Sequence, residues 1–158
     1  MALNSDRVRP GNVLLAILVG GLVAGTLDIW MASLASGAPI EAVTRFIAGG
    51  LVGLKTARAG GAEMLVLGVA LQNLMGLIIA AVYVLASLKL PVLRRRWLSL
   101  GLAYGVGVYF VMNYVVLPLS AIGRTAKFEP VSFAKNMAAM LVFGVIVAAA
   151  SRLVDRRS

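Results

Sequence analysis

Hydrophobic residues fall in four long runs that shorter polar stretches separate. The runs cover residues 13–35, 64–88, 97–119 and 131–150. Each holds about 20 or more mostly apolar residues, the length that a helix needs to cross the ~30 Å hydrocarbon core of a bilayer. The pattern predicts an all-α, polytopic membrane protein with four transmembrane helices in a single domain over residues 1–158. The first run is longer than the ~7–15-residue apolar region of a signal peptide, so we expect it to be retained.

The stretch between the first two runs has a different pattern. Within residues 38–60, apolar side chains recur at helical spacing and charged side chains fall largely on other faces. We predict an amphipathic helix on the outer membrane surface. A fifth spanning helix is the weaker alternative, because it would move the basic connection at residues 94–96 to the outside. The expected start, interruption and end are Pro39, Gly49-Gly50 and Gly60-Gly61.

The composition limits the kinds of catalytic and metal-binding site that the chain can form. Hydrophobic residues make up 61% of the chain and charged residues 13%, against about 25% charged in soluble domains. The sequence has no cysteine and no histidine, which excludes disulfides, thiol nucleophiles, histidine general bases and the usual zinc and haem ligands. The methionines lie mostly within apolar runs, where they are ordinary packing residues rather than copper ligands. We predict no catalytic residue, no metal and no cofactor.

The net charge of +9 is unevenly distributed. One set of helix ends is strongly basic, whereas glutamates dilute the basic residues at the other set. The positive-inside rule then places both termini in the cytoplasm. Contact of the basic ends with anionic headgroups accounts for the charge, and we expect no nucleic-acid partner. The residues at the strongly basic ends are Arg7, Arg9, Lys89, Arg94, Arg95, Arg96, Arg152, Arg156 and Arg157, and those at the other ends are Arg45, Lys55, Arg58, Arg124, Lys127, Glu41, Glu63 and Glu129.

Polar side chains interrupt the four runs at similar depths. At about 1.5 Å per residue, Asp28 lies ~10 Å, Gln72 ~12 Å, Asn113 ~9 Å and Lys135 ~6 Å from the outer end of its run. A charge within hydrocarbon costs at least ~2.5–3.5 kcal/mol, so we expect Asp28 and Lys135 to approach each other within one protomer or across a dimer interface. Together with Asn73, these residues are the predicted lining of a polar pocket in the outer half. Purely structural hydrogen bonds between helices stay an alternative for the amides.

Glycines recur at helical spacing beside these polar residues. Gly21 and Gly25 precede Asp28 on one side of the first helix, and Gly101 and Gly105 precede Asn113 on the third. Because Gly-x-x-x-Gly patterns allow close helix approach, we predict that these four glycines pack the helices and direct the polar groups inward. A proline at position 118 is also expected to leave a backbone carbonyl without its helical donor.

Two segments carry a resemblance to known proteins. The segment Gly25-Thr26-Leu27-Asp28 and the segment from Phe110 to Ser120 resemble small bacterial inner-membrane proteins with four helices, and more distantly the YagU-like family. The resemblance covers most of the chain. It implies a multi-pass protein of the bacterial cytoplasmic membrane and no particular activity.

Two classes of function fit these features. In the first, the outer-half pocket binds or transports a small solute, an ion or a lipid, with residues 38–60 as its cover. In the second, the chain is an accessory or assembly subunit of a larger membrane complex, and its polar contacts are structural. The expected partners are membrane lipids and either further copies of the chain or a larger complex. A membrane enzyme is a third reading, in which acid–base work would depend on Asp28, Lys135 or a tyrosine.

Overall fold

A computed structural model describes residues 9–124 and 129–155. Arg7, Lys127, Arg156 and Arg157, which enter the charge argument, lie outside these residues. The described chain is helical throughout most of its length. Its elements are α1 (Pro10–Ser36), α2 (Ile40–Val52), α3 (Leu54–Ala59), α4 (Ala62–Lys89), α5 (Val92–Arg95), α6 (Trp97–Val111), a π-helical turn (Met112–Val116), α7 (Leu117–Leu119), α8 (Pro130–Ser151) and a 3-10 turn (Arg152–Asp155).

Four helices are long and apolar enough to cross a membrane. They are Pro10–Ser36, Ala62–Lys89, Trp97–Leu119 and Pro130–Asp155, which confirms the four predicted runs and the all-helical class. The third combines α6, the π-helical turn and α7. Many large apolar side chains on the outside of the bundle are exposed, among them Leu34 at 78% and Val66 at 69%. Such an exterior suits the hydrocarbon of a bilayer.

Proline and glycine set several helix boundaries. Pro10 and Pro130 begin α1 and α8, where the fixed φ of proline suits a helix and its missing N–H is not needed. α1 ends at Gly37, whose φ of 68° lies in the left-handed region and whose N–H donates to the Ser33 carbonyl at 2.9 Å.

The segment between α1 and α4 forms two helices, α2 and α3, and Pro39 caps α2 rather than occupying its first position. The interruption expected at Gly49-Gly50 is wrong, because α2 continues through both residues to Val52. The break falls at Gly53, whose φ of 85° favours glycine. A Cβ atom at Gly49 would lie 2.8 Å from Leu54 Cδ2, so this glycine instead gives α3 room to fold back on α2.

Glycines bring the long helices together in two close pairs. Between α1 and α4, a Cβ at Gly21 would lie 2.7 Å from Leu77 Cα. Between α6 and α8, a Cβ at Gly101 would lie 2.7 Å from Ala148 Cβ, and Gly105 and Gly144 face the opposing backbone with still less room. Each pair therefore packs with its backbones in near contact.

The two pairs join into one bundle through α1 and α8. A Cβ at Gly20 would lie 3.0 Å from Ala150 Cβ, so the helices follow one another in the order α4, α1, α8, α6. Tyr104 on α6 closes the bundle, because its Oη donates to the Ile79 carbonyl of α4 at 2.7 Å and its ring packs edge-on against Tyr83 at 5.0 Å. The buried core contains Ala24, Ala80, Tyr83, Phe143, Val147 and Ala148.

α2 and α3 lie across one end of this bundle, which we call the α2 end; the opposite end is the α5 end. Thr44 is buried, and its carbonyl lies against Gly68 of α4. The Gly50 carbonyl accepts a hydrogen bond from the Ala121 N–H at 2.8 Å, just beyond α7. Arg45 donates from Nη1 to the Ala57 carbonyl at 3.1 Å and to the Gly60 carbonyl, which ties α2 to α3 and to the start of α4.

Candidate functional site

Asp28 and Gln72 form a hydrogen-bonded pair between α1 and α4. Gln72 Nε2 donates to Asp28 Oδ2 at 2.7 Å, and Gln72 is only 8% exposed. The close backbone approach of the two helices brings the side chains together: a Cβ at Gly25, one turn before Asp28, would lie 3.3 Å from the Gln72 carbonyl oxygen. A hydrogen bond to a charged group contributes about 1.5–3 kcal/mol. This pair therefore helps to determine which faces of α1 and α4 are in contact.

The other polar residues singled out in the sequence have separate partners. Asn73 makes a second α1–α4 contact, since its Oδ1 accepts from Thr26 Oγ1 at 3.3 Å, and its Nδ2 donates to the Val69 carbonyl at 2.9 Å. Asn113 donates to the Tyr109 carbonyl at 2.9 Å within its own helix. The structure therefore brings together Asp28 and Gln72, whereas the Asn113 side chain bonds within its own helix.

Lys135 does not meet Asp28 within this chain. The lysine is exposed, and its Nζ donates to the Ala35 carbonyl at 3.3 Å. Ala35 lies about two helical turns, or ~10 Å, beyond Asp28 along α1. Instead of the predicted contact inside one protomer, Asp28 accepts a hydrogen bond from Gln72, and Lys135 donates one to the end of α1. Within residues 9–124 and 129–155, the one salt bridge joins Arg94 and Asp155.

A π-helical turn interrupts the third long helix beside this region. It covers Met112–Val116 and ends two residues before Pro118. Proline has no N–H to donate to the carbonyl four residues earlier, that of Tyr114, and its ring would collide with that carbonyl in a regular α-helix. The chain relieves this collision by widening one turn. Single π-helical turns are rare and are frequent at functional sites.

A cavity of about 240 Å³ lies between α2, α4 and the π-helical turn. We call it the apolar cavity. Its walls are almost wholly hydrocarbon and thioether, while Gln72 contributes an amide and Ser120 a hydroxyl. The cavity therefore places the Asp28–Gln72 pair at the edge of an apolar space. The apolar wall residues include Phe46, Leu71, Met112 and Val116.

A second and larger cavity, of about 430 Å³, opens on the other side of α2 between the ends of α1, α3 and α8. Most of its lining is apolar, and we call it the basic pocket because its charged side chains are Arg45 and Arg58; Ser36 and Asn136 also line it. Phe46 lines both cavities and is 40% exposed. A phenyl ring thus stands where the two spaces adjoin.

The sequence led us to assign Arg45 and Arg58 only to the charge balance between the two ends. The two residues lie on opposite sides of Gly53, and the chain reversal at this glycine brings both to one pocket. A glycine between two helical segments that each carry an arginine was the available signal. Among residues 9–124 and 129–155, no group of three or more histidine, cysteine, aspartate or glutamate residues is arranged to hold a metal ion.

Comparisons of the chain with protein families, with curated proteins and with solved structures gave no match. The resemblance to small bacterial inner-membrane proteins and to the YagU-like family stays a prediction. Function is therefore inferred from the geometry of the α2 end.

Proposed function

We propose that this chain is a polytopic membrane protein that binds an amphiphilic molecule, a membrane lipid in the simplest case, at its α2 end. The observation that carries this proposal is the adjacency of the apolar cavity and the basic pocket at Phe46. An acyl chain suits the first space, and a negatively charged headgroup suits the second.

The apolar cavity has the composition of a lipid-chain or small-molecule site. Binding sites of this kind are lined mainly by apolar side chains, with a few polar groups that fix orientation. Gln72 and Ser120 are the polar side chains here. Gln72 Nε2 is engaged by Asp28, which directs the amide and leaves Oε1 as a hydrogen-bond acceptor for a ligand hydroxyl or amide. The Asp28–Gln72 pair therefore positions an acceptor in a mainly apolar wall.

The basic pocket suits an anionic headgroup. Arg45 is held in place by the carbonyls of Ala57 and Gly60, and Arg58 lies exposed on α3. Planar guanidinium groups bind phosphate and carboxylate oxygens through paired hydrogen bonds. Asn136 adds an amide on the α8 side. A headgroup held here would leave its chains close to Phe46 and the apolar cavity.

The proposal includes an orientation in the membrane. We infer that the α2 end faces the outside of a bacterial inner membrane and that both termini are cytoplasmic, since the α5 end carries the greater excess of arginine and lysine. α2 and α3 then lie at the outer surface as an amphipathic cover. Lys135 extends toward that surface, as long basic side chains near helix ends do.

A cavity-filling variant tests the chain-binding part. Leu71→Phe adds a ring on the cavity wall, whereas Leu74→Phe adds the same ring on a lipid-facing side of α4, where Leu74 is 52% exposed. Both proteins would be purified in a mild detergent and examined by native mass spectrometry. We expect wild type and Leu74→Phe to retain a bound lipid and Leu71→Phe to lose most of it.

A second matched pair tests the headgroup part. Arg58→Gln removes a charge from the basic pocket, and Lys55→Gln removes one from the exposed side of the same helix. We expect Arg58→Gln alone to lower retention of anionic lipid. Equal lipid content in Leu71→Phe and Leu74→Phe, together with purification in a stable larger complex, would favour the accessory-subunit function instead.

A further inference from the structure

A third cavity lies at the α5 end, far from the proposed amphiphile site. It is an open surface depression of about 420 Å³, formed by the connection between α4 and α6 and by the 3-10 turn after α8. Its lining is strongly charged, with three arginines and one aspartate. We call it the arginine pocket; its lining residues are Pro91, Arg94, Arg95, Trp97, Arg152 and Asp155.

Arg94 connects two of the elements that form the pocket. Its Nε lies 3.1 Å from Asp155 Oδ2, and its Nη1 donates to the Ser87 carbonyl at 2.9 Å. The Arg94 side chain is 13% exposed and that of Asp155 is 56% exposed, so the ion pair is shielded from solvent on the arginine side only. One guanidinium thus joins the end of α4 to the turn that follows α8, and it neutralises the one carboxylate that lines the pocket among the described residues.

Arg152 is oriented by an aromatic ring. Its guanidinium carbon lies 5.6 Å from the centre of the Trp97 ring, which is within the range of a cation–π contact. Such a contact uses the face of the guanidinium and keeps its N–H edge available for an oxygen ligand. Arg95 lines the same pocket from α5 and is exposed. Two positive charges therefore remain in the pocket after Asp155 is paired with Arg94.

We propose that the arginine pocket binds a phosphate group. A structural clamp between helices requires only Arg94 and Asp155, whereas Arg95 and Arg152 add charge and planar donor geometry that phosphate oxygens match. The phosphate belongs either to a phospholipid headgroup in the adjacent leaflet or to a soluble phosphate compound. This site is independent of the amphiphile site, because the two share no residue and lie at opposite ends of the bundle.

Trp97 provides a direct readout of binding. The sequence has two tryptophans, so Trp30→Phe leaves Trp97 as the single indole reporter. The purified full chain in a neutral detergent would be titrated with short-chain phosphatidylglycerol, with inorganic phosphate and with sodium chloride at equal ionic strength. Arg95→Gln is the test variant. Arg96→Gln is its matched control, since Arg96 is an exposed neighbour that does not line the pocket.

We expect phosphatidylglycerol or phosphate to change Trp97 emission, because the bound anion alters the charge around the Arg152 guanidinium that lies over the ring. Loss of one charge-assisted hydrogen bond should weaken the binding midpoint about 10-fold in Arg95→Gln and no more than about 2-fold in Arg96→Gln. A response to the lipid alone assigns the site to a headgroup, and an equal response to inorganic phosphate assigns it to a soluble compound. A response no larger than that of sodium chloride, or equal weakening in both variants, would overturn the proposal.

Discussion

The α6–α8 interface and the α4–α6 interface of the bundle are built differently. Along the first, Gly101, Gly105 and Gly144 bring two backbones into near contact. Along the second, Tyr104 reaches across to the Ile79 carbonyl, and toward the α2 end the helices separate around the apolar cavity. Glycine contacts leave no space for a ligand, whereas aromatic spacers and a widened turn create it. The tight interface is therefore the scaffold, and the open one is where we place binding.

The π-helical turn contributes to this difference. It lies on the third long helix at the open interface, and two of its residues, Met112 and Val116, line the cavity. The same helix carries Gly101 and Gly105 at its other end, facing α8. One helix thus packs tightly over its first half and forms a cavity wall over its second, and the change falls at the π-helical turn that precedes Pro118.

The largest expected effect is at the tight interface. Gly144→Leu forces a side chain against the backbone of α6 at Gly101 and Gly105, and overpacking of this kind costs about 3 kcal/mol. We expect a large fall in melting temperature in detergent, measured by intrinsic fluorescence, or loss of the folded protein. Gly107→Leu is the control, because a Cβ at Gly107 meets no atom within 4 Å. Similar stabilities for the two variants would show that α6 and α8 are not in backbone contact.

A smaller effect is expected at the Asp28–Gln72 pair. Gln72→Leu leaves the Asp28 carboxylate without its amide donor and should cost about 1.5–3 kcal/mol, measured as thermal stability in detergent. Adding Asp28→Leu should recover part of that loss, since no unpaired carboxylate remains. Coupling of about 1–2 kcal/mol between the two substitutions is the expected result of the double-mutant cycle.

Lys135 supplies the control for that cycle. Asp28→Asn and Lys135→Met should have additive effects, because Lys135 contacts the Ala35 carbonyl rather than Asp28. Strong coupling of Asp28 to Lys135 and none to Gln72 would contradict the observed pairing. That outcome would also point to contact between protomers.

The sequence predicts how far along its helix each polar residue lies, but it does not predict which helices are neighbours. Counting from the end of a run places Asp28, Gln72 and Asn113 at similar depth, because helical rise is constant. Which amide meets Asp28 depends on the order of helices around the bundle. α4 lies beside α1, so Gln72 reaches the carboxylate, whereas Asn113 on the third helix bonds to its own backbone.

In the segment between α1 and α4, the sequence predicted a helix but not the position of its break. Hydrophobic spacing and Gly60 indicated a helical segment that ends where α3 ends. The position of the break depended on which glycine takes a positive φ, and a glycine within a helix looks the same in the sequence as one at a turn. Gly53 turns the chain, and Gly49 accommodates Leu54. The basic pocket follows from this reversal, so it could not be predicted before the turn was located.

The proposed orientation places the α2 end, with its two cavities, on the outside of the membrane. The chain has no cysteine, so single cysteines introduced at Ser99, Ser120 and Ser158 can be labelled on intact cells with an impermeant maleimide, with denatured protein as the labelling control. We expect residue 120 to react on intact cells and residues 99 and 158 to react only after the membrane is opened. Labelling of residue 158 but not of residue 120 on intact cells would contradict the orientation and place the amphiphile site on the cytoplasmic side.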